Sequence, residues 1–550
     1  MRKNEILSVK IGDMNNLGYG IGHVDGLTVF VRGGVVGEDV SAKVIKVTKT
    51  YAVALCGDVP NPSPNRCEPD CPSYPACGGC VYRHITYAHE LELKRGYVEN
   101  AFRKAGVAAE VEPVRTTGKT IGYRNKAQYP ILPDPGTGEP QIGFFAGASH
   151  RLVPADACRL QPEIFGRISQ DVMRFLRENG ISAYDESTGH GLVRHLYLRR
   201  GEQSGEVLVC LVLNGGKLPH EDAFAAGLTG HFPQICGVML NENTARSNVV
   251  LGERYRLLAG RPYLTDRLCG LEFRISPESF YQVNHDACEL LYGLAAERAG
   301  LTGKEDLIDL YCGIGTIGLT MAKNARRVLG VEIVPEAVRC AGENAAHGGI
   351  ENAEFVCADA GDAESLIRLA EKRLGGTLRN AVLVLDPPRK GTTRELIDAL
   401  DSHGAGRVVY ISCNPDTLAR DCAEFLRHGY RMSAVTPVDL FPRTGHVESV
   451  CVLSKLSARQ HVEINLRMDE LDETNAEKKA TYQKIKDYVQ KHHNLKVSSL
   501  YIAQIKQKCG MIKRENYNQS KSETYVQPNC PIEKEKAIMD ALRHFGMVEA

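Results

Sequence analysis

Hydrophobic and polar positions change their rhythm along this chain, and each change marks a boundary. Through residues 1–58, apolar and polar residues alternate in short runs parted by glycine: Leu7 to Ile11, Gly26 to Val31, Asp39 to Val47 and Tyr51 to Leu55. Such period-two runs predict a small OB-like β-barrel. The Pro-rich run Val59 to Pro64 closes it. Residues 59–262 mix a helix over 85–105 with later strands and two more helices, the pattern of an α+β central domain. From 263 to 456 apolar strands alternate regularly with helices, as in Leu307 to Tyr311, Arg327 to Val331, Ala381 to Leu385 and Arg407 to Tyr410. That alternation predicts a parallel, doubly wound, Rossmann-like α/β sheet. Residues 457–550 read as a small helical extension, with helices over Asn475 to Lys491, Ser498 to Lys508 and Glu533 to Phe545. Tyr501 to Ile505, after a Ser-Ser start, suggests a helix-turn-helix-like unit.

Composition changes this picture little. A chain of 550 residues exceeds one hydrophobic core. Its formal net charge of zero excludes a uniformly basic nucleic-acid binder but leaves room for local basic surfaces. No apolar run approaches membrane-spanning length, and the N-terminus has no secretory pattern, so a cytoplasmic protein without a membrane partner is expected. No obligate protein partner is evident either. Eighteen cysteines in such a chain imply reduced thiols put to packing, metal ligation or catalysis. Cys210, Cys236, Cys340 and Cys357, scattered through apolar segments, read as packing.

One group of cysteines does not. Cys67, Cys71, Cys77 and Cys80 crowd a loop rich in proline and glycine. The last three, at Cys-x5-Cys-x2-Cys spacing, are arranged to grip one metal centre, either zinc or an iron-sulfur cluster. A fourth ligand is needed. Cys158, in another Pro-containing loop, can supply it, and a local four-thiolate site that includes Cys67 stays open.

In the α/β region, Gly313, Gly315 and Gly318 form G-x-G-x-x-G between a strand and a helix, and Glu332 ends the next strand. A carboxylate there can take both hydroxyls of a ribose, so an adenosine-bearing cofactor is expected. Asp386-Pro387-Pro388-Arg389 ends a later strand, and Cys413 ends the one after it. A thiol and a carboxylate in the crevice suit S-adenosylmethionine (SAM) chemistry better than hydride transfer. Carbon 5 of uracil is too weak a nucleophile to attack a methylsulfonium unaided. A thiolate added to carbon 6 supplies the missing reactivity, and a base must afterwards remove the carbon 5 proton. Glu448 or His446 can be that base, and Arg443 or the backbone can orient the ring.

The motifs CPSYPACGGC, FYQVNHDA, DLYCGIGTIGL, VLDPPRKG, YISCNPDTLARD and FPRTGHVESV resemble the RNA (uracil-5-)-methyltransferase family over residues 1–456. The glycine pattern Gly18-Tyr19-Gly20-Ile21-Gly22 resembles a TRAM domain, which would offer Tyr19, Arg32, Lys43, Lys46 and Lys49 to RNA. Arg115, Lys119, Arg124 and Lys126 could face phosphates. The specific resemblance is to the TRAM-containing, iron-sulfur branch that acts on 23S ribosomal RNA. It implies SAM contacts at Gln282, Tyr311, Glu332 and Asp386, Cys413 as nucleophile and Glu448 as general base. It also implies a [4Fe-4S] cluster on Cys71, Cys77, Cys80 and Cys158, with Cys67 outside it. The expected partner is a single-stranded or loop region of ribosomal RNA with a flipped uridine. A transfer RNA uridine is the close alternative. An iron-sulfur dinucleotide oxidoreductase is the distant one, since it leaves Cys413 and Glu448 without a task.

Overall fold

The computed structural model describes residues 1–155, 157–455, 482–509, 530–545 and 548, in two compact units divided near residue 460. The N-terminal strands form a six-stranded sheet around Val9, Ile11, Val29, Val31, Val40 and Val44. Gly12 donates to the Ile21 carbonyl at 2.9 Å, drawing the first strand to the third. Tyr19–Val24, where the pattern shows mainly glycines, is a full strand. Its Gly22 lets the chain pass close to Val9, whose methyl would lie 2.4 Å from an added Cβ.

The central region holds a seven-stranded sheet covered by helices Glu163–Glu178 and Glu221–His231. Helix α1, Tyr87–Lys104, belongs elsewhere in space. Thr86 caps it by accepting from the His89 amide. Its Val98, Ala101 and Phe102 join the core beneath the α/β sheet, alongside Leu418 and Phe425.

That sheet has eight strands: β1 Asp306–Leu310, β2 Arg327–Glu332, β3 Ala353–Cys357, β4 Ala381–Leu385, β5 Arg407–Ser412, β6 Arg431–Met432, β7 Thr436–Val438 and β8 Glu448–Ser454. The order is β3-β2-β1-β4-β5-β8-β6, with β7 also on β8. The first five are parallel, but β8 runs antiparallel to β5. The fully parallel expectation therefore fails at this end. After helix α5, Pro415–Arg427, the chain returns through short strands rather than a helical crossover, which reverses its direction. Glu448 opens β8 and pairs with Val438 of β7, one residue before the pairing of β8 with β5 begins.

Three more helices of the first unit complete the elements used below: α2, His285–Ala299, and α3, Thr316–Met321, over the sheet, and α4, Pro335–His347, after β2. The second unit contains α6 Tyr482–His493, α7 Ser499–Lys508 and α8 Ile532–His544. They enclose Ile485, Val489, Ile502, Ile505, Ile538 and Leu542. The part of the first expected tail helix before Tyr482 lies outside the described residues. Among the described residues, no helix is long and apolar enough to cross a membrane.

Candidate active site

The carboxyl ends of β1, β2, β4 and β5 build one crevice, as an open α/β sheet dictates. At the end of β1 the backbone turns left-handed at Tyr311 (φ 66°), Gly313 (φ 56°) and Gly315 (φ 82°). Tyr311 is the costly one, since a side chain disfavours that region. A methyl on Gly315 would lie 2.9 Å from the Phe355 ring, so glycine is also demanded by space. Glu332, at the end of β2, accepts from the Gly313 amide (3.1 Å) through one oxygen. Its other oxygen accepts from Ile333 (2.9 Å) and Val334 (3.0 Å). The carboxylate is thereby fixed against the glycine turn with acceptor capacity to spare.

Beneath that turn lies Asp309, which the motif reading did not single out. It is fully buried on β1, and its Oδ2 accepts from the Gly318 amide at 2.7 Å. Burial pushes its carboxyl up to about 7, and Asp386 and Glu332 reinforce this. The signal was present as one acid inside the apolar run Leu307-Ile308-Asp309-Leu310.

Asp386 follows β4 directly, and burial raises its carboxyl to about 7. Its field reaches Cys288 and Tyr292 on α2. Helix α2 is started by Asn284, whose Oδ1 accepts from the Ala287 amide while its Nδ2 donates to the Leu440 carbonyl at 3.0 Å. Gln282 lies two residues earlier, 8% exposed, with its carbonyl held by Asn125 Nδ2 at 2.9 Å.

Cys413 stands between β5 and α5. Asn414 caps that helix by accepting from the Asp416 amide, and Pro415 occupies its first turn. Asn414 also donates to the Arg389 carbonyl at 2.9 Å, joining the thiol-bearing loop to the Asp-Pro-Pro-Arg loop. Ser412 pairs with Ser449 across β5 and β8, so Cys413 and Glu448 are the next residues in that register. Burial pushes Glu448 up to about 8, helped by Asp386 and opposed by Arg389. Burial likewise pushes Cys413 up to about 11, with Glu448 and Asp386 adding and Arg389 opposing.

The loop leading to Glu448 is clamped from α1. Lys94, 1% exposed, donates to Glu90 (2.8 Å), Asp439 (2.7 Å) and the Phe441 carbonyl (3.1 Å). Arg443 is spent on this clamp, because its amide donates to Glu90 at 2.7 Å and its guanidinium to the Ile85 carbonyl at 3.0 Å. It is therefore not a free group for orienting a base. Arg32 is likewise engaged, donating to the Pro75 carbonyl of the cysteine loop, and Lys119 is paired with Glu202 at 2.8 Å. Lys126 lies beside Arg199 and Arg124, and burial with those cations pushes it down to about 8. Cys357, expected as packing, is exposed.

The four cysteines Cys71, Cys77, Cys80 and Cys158 line a single cavity of about 90 Å³. Cys67 lies outside that lining, with its thiol at 3.6 Å from the Arg83 carbonyl. Gly79 N–H donates to Cys77 Sγ at 3.4 Å, and Arg83 Nε to Cys80 Sγ at 3.3 Å. Among the described residues, only Asp398, Glu424 and His428 bring three ligand atoms within 4.8 Å of one another. The sulfurs are thus spread wider than the roughly 3.8 Å that tetrahedral zinc with 2.3 Å bonds imposes. Four soft donors lining one cavity, with N–H groups aimed at sulfur, could hold a thiolate-bound metal centre.

A family profile described as tRNA (uracil-5-)-methyltransferase matches residues 251–456, and a TRAM domain profile matches 2–54. An uncharacterized RNA methyltransferase of Clostridium acetobutylicum is 38% identical over 462 residues, covering 83% of this chain and 98% of that one. One from Halalkalibacterium halodurans is 39% identical over 459 residues, covering 82% and 98%. Among solved structures, the Pyrococcus abyssi tRNA (uracil-54, C5)-methyltransferase in complex with S-adenosyl-L-homocysteine is 27% identical. It aligns over 81% of this chain and all of that one, with a TM-score of 0.65. The chain belongs to the RNA (uracil-5-)-methyltransferase family, as a SAM-dependent enzyme with an N-terminal TRAM domain and a Rossmann-like catalytic fold.

Proposed function

We propose that this enzyme makes 5-methyluridine in 23S ribosomal RNA in the cytoplasm, at a uridine flipped from a single-stranded or loop region. In this reading residues 1–58 and 59–262 grip the RNA, and 263–456 carry the chemistry. The observation that supports it most is the opposition of Cys413 and Glu448 at the β5–β8 ladder end, beside Asp386. Bound SAM would supply the methyl group, with Glu332 on the ribose and Gln282, Tyr311 and Asp386 completing its contacts.

The Cys413 thiol gives its proton to solvent, and the thiolate adds to carbon 6 of the uracil. The pair displaced from the carbon 5–carbon 6 double bond makes carbon 5 nucleophilic, so that it takes the methyl group. Glu448, as carboxylate, removes the carbon 5 proton, and the returning pair expels the thiolate. Glu448 suits this step better than His446. Crowding by protein and the cations of Arg389, Lys94 and Arg124 push the imidazole down to about 4, a weak base.

Cys71, Cys77, Cys80 and Cys158 would hold a [4Fe-4S] cluster, for which the cavity and the N–H donors are the support. Together with the barrel, this favours ribosomal RNA. The tRNA reading has its own support in the activity of the Pyrococcus relative. Offering the enzyme undermodified ribosomal and transfer RNA with labelled SAM separates the two. Methyl incorporated into 23S RNA alone is expected, and incorporation into transfer RNA alone would replace this substrate with the other.

A further inference from the structure

The matched relatives account for 98% of their own length within 82–83% of this chain, and the catalytic profile ends at residue 456. The helical unit is an addition to that enzyme. Its charge differs from that of the body. Residues 478–545 carry fourteen Lys and Arg against six Asp and Glu, a net charge of +8 in a chain whose total is zero. The preceding 463–477 holds six acids and one base.

The cations surround an aromatic column where α6 meets α8. Tyr488 stacks on His492, with ring centroids 4.3 Å apart at 29°, and on His544, 4.4 Å apart at 27°. Both histidines are exposed. Helical spacing places Lys484 and Lys491 with Tyr488 along α6, and Lys536 and Arg543 along α8, all four of them exposed. The acid on this face, Asp540, is already engaged by His493 Nε2 at 2.8 Å and by the Tyr488 hydroxyl at 3.4 Å. Stacked rings ringed by cations satisfy the two requirements of a single-stranded nucleic acid, a π-surface for bases and positive charge for phosphates.

We infer that the α6–α8 face is a docking surface for single-stranded RNA. It adds affinity through phosphates and stacked bases and takes no part in methyl transfer, so its test is independent of the catalytic mechanism. The experiment is fluorescence anisotropy of an end-labelled single-stranded RNA with the full-length protein across a salt series. Combining Lys484→Gln, Lys491→Gln and Arg543→Gln should flatten the slope of log affinity against log salt by about 2, because each lost phosphate contact removes about 0.7. The pair His492→Ala and His544→Ala should weaken binding about tenfold through lost stacking. Restoring charge, with Lys484→Arg and Lys491→Arg and Arg543 kept, should restore affinity and slope, which separates charge from folding. Parental affinity and slope in the triple variant would overturn the inference. So would parental single-strand affinity in the histidine variant.

Discussion

Cys413 directly follows, and Glu448 directly precedes, the Ser412–Ser449 pair that ends the β5–β8 ladder, and the Glu448 carboxylate raises the Cys413 thiol. Opposed residues in such a ladder have Cα atoms about 5 Å apart. A uracil ring can meet the thiol and the carboxylate together only if the two are neighbours, and the field of Glu448 does reach the Cys413 thiol.

The same proximity predicts a pH dependence. Burial and neighbouring acids hold Glu448 protonated up to about pH 8 and the Cys413 thiol up to about 11. Both must lose protons for the proposed chemistry, so kcat/KM for RNA should rise with pH from about 6 to beyond 8. Arg389→Gln should move the rise to higher pH, since that guanidinium favours both ionised forms. Initial rates across this range check it, and a flat profile would contradict it.

Lys94→Met should destabilise the catalytic body by about 3–5 kcal/mol, because it leaves Asp439 buried without its cation and Glu90 with Arg443 alone, 3.6 Å away. Adding Glu90→Gln and Asp439→Asn to that variant should recover part of the loss. Thermal melting of the two variants measures both effects.

Gly445→Ala should cut methylation by about 100-fold, the penalty of a displacement near 1 Å at a reacting centre. A methyl there would stand 1.6 Å from the Asn16 carbonyl, where the barrel touches the loop leading to Glu448. Gly12→Ala, with open space around its Cβ, is the matched control and should stay near parental activity.

Serine at Cys71, Cys77, Cys80 or Cys158 should lower the iron and acid-labile sulfide of anaerobically prepared protein. Cys67→Ser should leave both unchanged, because that thiol lies outside the cavity lining. Elemental analysis of the five variants decides this, and metal loss in Cys67→Ser would reassign the ligand set.

Much of this architecture is legible in the chain because apolar runs too short for a helix and bounded by turn residues read as buried strands, and glycines mark the turn between β1 and α3. Glu448 could be placed at the start of a strand because a single charge precedes the run Ser449 to Leu453. The insertion of β8 beside β5 could not, since it depends on pairing between segments far apart in sequence. The Lys94–Asp439 contact spans 345 positions and leaves no local pattern. Arg443 and Arg32 look free in sequence and prove engaged, because only the fold reveals which carbonyls they meet. Spacing alone leaves Cys67 open as a ligand; the family resemblance sets it apart from the other four thiols, and it is absent from the cavity lining.

The most direct measurement of the central claim uses Glu448→Gln, incubated with uridine-bearing RNA and labelled SAM. Without the base, methylated uracil should remain bonded through carbon 6 to Cys413, giving a denaturation-resistant adduct that peptide mass spectrometry maps to that residue. Full turnover with no adduct in this variant, or an adduct mapped to another cysteine, would contradict the account.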